Sequence, residues 1–339
     1  MTSGTAVPPA LLRYRPVVED ALRAAVGDGD DPLIRTARYV LGWEDEAGRP
    51  SNAGGKRVRP SLCLLAAEAA GGTPQDALAG AAAVELVHNF SLVHDDVQDR
   101  DAERHHRPTV WALFGEAQAI NAGDYLFALA MRTLARADVP SDRRTAALDA
   151  LDRAVMEMIR GQWLDISFES RASITEEEYL EMVRGKTGAL LGASLEVGAL
   201  LAGATPDLAA GLRRWGEEIG LAFQAHDDYL GVWGDPDQTG KSNTSDIARR
   251  KKTLPVVIGL AHAAAGPAVR AAYAKPQLTP DDIAGVVRAL EEAGAGQRCR
   301  EIARRHEARA RELLGALDLA PRWRDELTAI GEFLVERAS

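Results

Sequence analysis

The chain has 339 residues, of which 46% are hydrophobic and 27% charged, with a formal net charge of −10. This hydrophobic share supports a buried core and excludes a mainly disordered chain, while the acidic balance argues against a nucleic-acid partner. The length exceeds the roughly 250–300 residues at which single cores stop growing, so one large domain or two is expected.

The N-terminal stretch from Met1 to Pro9 lacks the basic start and apolar run of a signal peptide, and no stretch of about 18 residues is free of charge. With only Cys63 and Cys299, neither a disulfide framework nor a zinc ribbon is available. The chain therefore reads as cytoplasmic, without a membrane span. Apolar residues recur at helical spacing, predicting helices over Asp76 to Asp99, Gln118 to Ala137, Arg143 to Glu169, Glu176 to Ala202 and Pro206 to Trp233. Strand-like alternation is nearly absent. Ala79 to Leu92 and Gly188 to Ala204 are apolar around most of the helix circumference, as in helices buried among other helices. Breaks fall at 139–142, 204–206, 234–253 and near 275–280, and none reads as an interdomain linker. The expectation is an all-α fold, one large helical bundle forming a single domain over 1–339.

Two predicted helices end in an acidic pair after an apolar run: His94-Asp95-Asp96-Val97-Gln98-Asp99 and His226-Asp227-Asp228. In the first, Asp95 and Asp99 stand four residues apart, on one helix face. Two unit charges about 6 Å apart at an effective dielectric near 20 repel by roughly 3 kcal/mol, and a cation relieves that. Hard oxygen donors suit magnesium, which takes one or two carboxylates and completes its shell with water and phosphate. A solvated acidic helix end explains an isolated motif equally well; the apolar approach and the second pair favour the metal. A third pair, Asp281-Asp282, follows Pro280 at a helix start and reads as capping.

Short basic islands beside glycine turns read as phosphate ligands: Lys56, Arg57 and Arg59 in GGKRVRP, Arg104 and Arg107 in ERHHRPTVW, Lys186 in GKTG, Lys241 in TGKS, and Lys251-Lys252. No Walker-type GxxxxGK[ST] loop follows a strand. The basic stretch from Arg298 to Arg311 alternates with glutamates and reads as a solvated face.

In their order, GGKRVRP, HDDVQD, RHHRPTVW, AINAGDYL, GQWLD, GKTG, FQAHDDYLG and TGKSNTSDIARRKKTLP resemble the motifs of the trans-isoprenyl diphosphate synthases, the polyprenyl synthetase family, over about 54–255. The resemblance implies a bundle around a deep central cavity, magnesium dependence with three ions, and a homodimer. It implies that Asp95, Asp99 and Asp227 bind the metals, and that Arg104, Lys186 and Lys241 grip the diphosphate of an allylic substrate. Lys56, Arg59 and His88 match positions that bind isopentenyl diphosphate, and Thr187 and Gln224 match positions that face a developing cation. His94 and His226 read as structural or supporting.

Two departures stand out. His105 occupies the place of a second arginine after the first motif, which puts one isopentenyl-diphosphate contact in doubt unless Arg107 supplies it. Gly231 stands where a third aspartate is usual, predicting weaker metal binding. Phe90, five residues and about 7.5 Å of helix before Asp95, is placed to stop a growing hydrocarbon tail. In the family an aromatic there accompanies short products, and the absence of a two-residue insertion in the first motif points to geranylgeranyl diphosphate. The alternatives are a farnesyl diphosphate synthase, a terpene cyclase on the same fold, which has one diphosphate to bind rather than two, and a non-catalytic regulatory subunit.

Overall fold

The structure, a computed structural model, describes residues 7–234 and 244–336. Its contacts divide the chain into two compact units, the first made of Pro9–Arg153 with Ala193–Ala210, the second of Ala154–Gly192 with the described part of Gly211–Ser339.

In chain order the first unit holds α1 (Pro9–Val26), α2 (Pro32–Val40), α3 (Val58–Ala69), α4 (Pro74–Asp99), the two-residue strands β1 (Glu103–Arg104) and β2 (Arg107–Pro108), α5 (Val110–Phe114), α6 (Glu116–Ala135) and the start of α7 (Ser141–Glu169). The second unit takes the rest of α7, α8 (Glu176–Val183), a π-helical turn over Arg184–Gly188, the start of α9 (Ala189–Ala202), most of α10 (Pro206–Trp233), α11 (Ser245–Ala248), α12 (Leu254–Ala261), α13 (Gly266–Tyr273), α14 (Pro280–Glu292), α15 (Ala295–Ala316) and α16 (Pro321–Glu336). The all-α expectation holds. Among the described residues no helix is long and apolar enough to cross a membrane.

The sequence explains why the helices start where they do. Pro74 follows Thr73, whose backbone N–H donates to Asp76 at 2.7 Å, and Thr175 and Glu178 cap α8 reciprocally at 2.8 and 3.1 Å. The third acidic pair caps as expected, Asp282 accepting from the Thr279 N–H at 3.0 Å. Two local features depart from the periodicity reading. The helix expected to run unbroken from Glu176 to Ala202 contains the π turn, and ERHHRP forms a hairpin in which Arg104 pairs with Arg107. His105 and His106 make that turn at φ 51° and 59°. Two successive left-handed residues match the twist of a tight hairpin, and histidine tolerates this region better than most side chains.

In the first unit, Leu62, Leu64 and Leu65 of α3 and Val84, Leu86 and Val87 of α4 are fully buried. Small residues let α9 come close: a Cβ at Gly198 would lie 1.9 Å from the Cys63 carbonyl oxygen. The second unit has one core cluster around Phe168, Tyr179, Met182, Leu221, Leu254 and Ile302, and another around Ile247, Val256, Val269 and Leu290. Both cysteines are buried as free thiols.

The α3–α9 contact yields a prediction. Gly198→Ala inserts a methyl group where backbone already stands, and this overpacking lowers unfolding free energy by about 1–3 kcal/mol. Urea denaturation reads it as a lower midpoint at unchanged slope.

Candidate active site

The end of α4 separates the first acidic pair. Asp95 and Asp99 are partly exposed, one turn apart, whereas Asp96 is buried and accepts from Arg104 Nε at 2.7 Å. Burial pushes the Asp96 carboxyl up to about 6, against the opposing pull of the Arg104 guanidinium. The hairpin delivers that arginine. One turn back, Phe90 is buried against the Phe127 ring of α6 at 5.4 Å and meets His94 edge-on at 5.1 Å. His94 Nε2 lies 3.2 Å from the Ile120 carbonyl oxygen, so this histidine ties α4 to α6, as expected of a structural residue.

The basic island around α3 is divided by function. Arg59 Nη1 lies 3.3 Å from His88 Nε2, and Arg59 Nε is buried with no hydrogen-bond partner among the described residues. Burial, then the charges of Arg59 and Arg104, push His88 well below the usual histidine range, leaving a neutral imidazole that accepts from Arg59. Lys56 is exposed. Arg57, read above with its neighbours as a phosphate ligand, is instead structural: its guanidinium donates to Glu19 Oε1 at 2.8 Å, Glu85 Oε1 at 2.7 Å and the Leu41 carbonyl at 2.8 Å, with the side chain 2% exposed. Arg107 lies over the Tyr39 ring at 4.2 Å and donates to the Tyr39 and Glu44 carbonyls at 3.2 and 2.7 Å, which directs it toward α2. His105 is exposed at the hairpin tip.

In the second unit α10 repeats the arrangement. Asp227 is exposed, and Asp228 is 5% exposed. Asp228 accepts from the Tyr179 hydroxyl, from the Leu254 N–H at 2.8 Å and from Gln224 Nε2 at 2.9 Å. Burial raises its carboxyl to about 7, with these three donors working the other way. Thr187 Oγ1 lies 3.3 Å from Gln224 Oε1. Lys186 reaches Asp165 Oδ2 at 2.6 Å because the π turn crosses α7 at a glycine: a Cβ on Gly161 would lie 2.2 Å from the Lys186 nitrogen. Lys241 lies outside the described residues. Beside Gly231, Asp246 Oδ2 stands 3.6 Å from where a Cβ would be, so a carboxylate from α11 adjoins the position of the usual third aspartate.

Sequence reasoning missed Tyr179, Glu85 and Asp246, and quoted Asp165 in GQWLD without giving it a role. No periodicity marks Tyr179, which looks like any core aromatic 49 residues before its partner. Glu85 carried a signal: an acid inside an otherwise apolar run asks for a buried counter-charge.

A family model described as polyprenyl synthetase matches residues 46–290. The chain belongs to the polyprenyl synthetase family. Among family members, a (2E,6E)-farnesyl diphosphate synthase of Mycobacterium tuberculosis is 46% identical over 319 residues, covering 92% of this chain and 88% of that protein. A geranylgeranyl diphosphate synthase of the same species is 42% identical over 298 residues, covering 85% and 84%. The crystal structure of a polyprenyl synthetase from Streptomyces coelicolor A3(2) superposes with a TM-score of 0.90 at 44% identity, covering 96% of this chain and 98% of that one. The family match at 46–290 runs through segments of both units.

Within this family member Arg57 is scaffold, which gives a prediction. Arg57→Met leaves Glu85 buried without its charged partner and lowers stability by about 3–5 kcal/mol, read as a reduced midpoint in chemical denaturation.

Proposed function

We propose that the chain is a magnesium-dependent prenyltransferase that condenses isopentenyl diphosphate with an allylic diphosphate into a short-chain trans-prenyl diphosphate, with geranylgeranyl diphosphate as main product. One observation carries this: in both acidic pairs the second aspartate is sequestered by protein donors while the first stays accessible. Among the described residues no three carboxylate, imidazole or thiolate groups crowd into a preformed metal cage. Asp95 and Asp99, and separately Asp227, nevertheless fit magnesium, an ion that draws on few carboxylates and keeps water and phosphate in its shell. They are assigned the metal sites, with three ions in all.

When bound, the metal offsets the negative charge that builds on the departing diphosphate. Arg104, Lys186 and Lys241 are assigned to the same charge on the allylic substrate. Lys56, Arg59 and His88 are assigned to isopentenyl diphosphate, and the unpartnered Arg59 Nε supports this, because an arriving anion satisfies it. Breaking the carbon–oxygen bond leaves an allylic cation, opposite which Thr187 and Gln224 present oxygens. The double bond of isopentenyl diphosphate attacks it, and the proton then lost passes to the released diphosphate, so no protein base is assigned. The carbonyl-bonded Arg107 makes His105 the weak member of the isopentenyl-diphosphate set. Asp246 keeps a carboxylate beside the second motif despite Gly231.

The hydrocarbon tail is proposed to run back along α4 to Phe90. The packing of Phe127 on Phe90 and the 46% identical farnesyl diphosphate synthase favour a second reading, in which the tail stops at fifteen carbons. The chain is further proposed to work in the cytoplasm, as one synthase domain over 1–339, and as a homodimer. The dimer proposal is supported by α7, where Met156, Ile159, Trp163 and Ile166 form one exposed apolar stripe, Trp163 being 76% exposed.

Two predictions test the reading. Purified protein with magnesium, isopentenyl diphosphate and dimethylallyl, geranyl or farnesyl diphosphate forms a prenyl diphosphate, and Asp95→Ala or Asp99→Ala lowers turnover by at least 100-fold, because both groups serve charge formed in the transition state; near-normal turnover in either variant refutes the metal assignment. In the same assay Phe90→Ala lengthens the main product by at least one isoprene unit, and an unchanged distribution from a folded, active variant moves the floor away from Phe90.

A further inference from the structure

Asp228 is the meeting point of three elements of the second unit. Its Oδ2 accepts the Tyr179 hydroxyl from the middle of α8 and the Leu254 N–H from the first turn of α12, and its Oδ1 accepts Gln224 Nε2 from one turn earlier on α10. The Leu254 N–H is one of the donors that a helix N-terminus leaves without an intrahelical partner, so the carboxylate also caps α12. A backbone N–H can only donate, and two donors on Oδ2 leave Oδ1 for the Gln224 amide. An acceptor at that point admits only the NH2 end of the amide. The Gln224 carbonyl oxygen is thereby turned the opposite way, to Thr187 Oγ1 at 3.3 Å.

The hydrogen bonds form a directed chain, Thr187 to Gln224 to Asp228, in which every proton points toward the carboxylate. The hydroxyl and amide dipoles then present their negative ends, Thr187 Oγ1 and Gln224 Oε1, at the open end. Without the carboxylate the amide can turn over and present its NH2 group, reversing the sign of its dipole there. Such a fixed array stabilises developing positive charge without having to reorient during the reaction.

We propose that Tyr179 and Asp228 are positioning residues for prenyl transfer, locking the Gln224 amide so that its carbonyl oxygen and Thr187 Oγ1 face the carbon on which positive charge develops. The inference rests on the prenyltransferase reading above. It gives Asp228 a role distinct from metal binding and gives a reason for a tyrosine in an otherwise apolar cluster.

The test uses Tyr179→Phe, which keeps the ring and removes one hydrogen bond. Expected are a kcat lowered by about 10- to 100-fold, KM values for both diphosphate substrates within twofold of wild type, and an unchanged magnesium concentration for half-maximal rate. Calorimetry with two non-reacting probes separates orientation from folding. A dimethylallyl thiolodiphosphate, whose tail is uncharged, binds as to wild type, whereas a trialkylammonium analogue given with inorganic diphosphate, charged where the cation forms, binds about tenfold more weakly. In a double-mutant cycle Tyr179→Phe has no further effect on kcat once Gln224 is alanine. Where Tyr179→Phe loses its cooperative melt, Asp228→Asn takes its place with the same expected split. Equal weakening of both probes, or additive effects of Tyr179→Phe and Gln224→Ala, overturns the inference in favour of a scaffold role. A wild type that forms no prenyl diphosphate overturns the parent reading and this inference with it, while an active wild type matched by Tyr179→Phe in rate and in both affinities overturns the inference alone.

Discussion

Adjacent carboxylates at the end of a helix that is mostly buried repel each other at close range, and low-dielectric surroundings sharpen the repulsion. Successive residues on a helix are turned by 100°, so one member of such a pair can point inward while its neighbour stays open. α4 uses this with Asp96 held by Arg104, and α10 uses it with Asp228 held by Tyr179, Leu254 and Gln224. Whatever anchors the inner aspartate also sets the direction of the outer one. The hairpin and the start of α12, neither of which carries a metal-binding carboxylate in our assignment, are therefore part of what aims the two acidic motifs.

Arginine shows how residues of one type are divided between framework and chemistry. Arg57 and Arg59 are two residues apart at the start of α3, yet Arg57 has Glu19, Glu85 and a backbone carbonyl around it, while Arg59 meets a neutral His88 and keeps a buried nitrogen without a partner. The first arrangement is internally neutralised and has nothing to offer an anion. The second has, among the described residues, no carboxylate hydrogen-bonded to it in a place where water is scarce, which favours an anionic ligand.

Much of this was legible in the sequence because it is written in local periodicity. The helix predicted over Pro206 to Trp233 has those bounds in the structure, and the one predicted from Asp76 misses its start by two residues because Pro74 and Thr73 form the capping turn. The acidic pairs were legible for the same reason, since four-residue spacing fixes a shared helix face. What was not legible depends on partners far along the chain. Nothing within a few residues of Arg57 announces Glu19, and nothing near Asp228 announces Tyr179. The hairpin escaped notice because two-residue strands carry no alternation, and the π turn because it changes hydrogen-bond spacing without changing composition. The eight motifs point to the family, and the structure adds that Arg57, Asp96 and Asp228 within them are held by protein partners.

The π turn and the close contact at Gly198 together say how α9 keeps its rotational setting. The helix is buried around nearly its whole circumference from Ala189 to Ala199, so turning it about its own axis would expose little new apolar surface and bury little new polar surface. Hydrophobic patterning is silent on which way such a helix faces. A residue added to or removed from this stretch without a matching change in the hydrogen-bond spacing of the turn would rotate everything after it by about 100°, carrying Gly198 away from the Cys63 carbonyl and a bulkier neighbour toward it. Single-residue insertions or deletions in this short segment thus act on the packing of α3 roughly 15 Å further along the axis of α9, away from where the change is made.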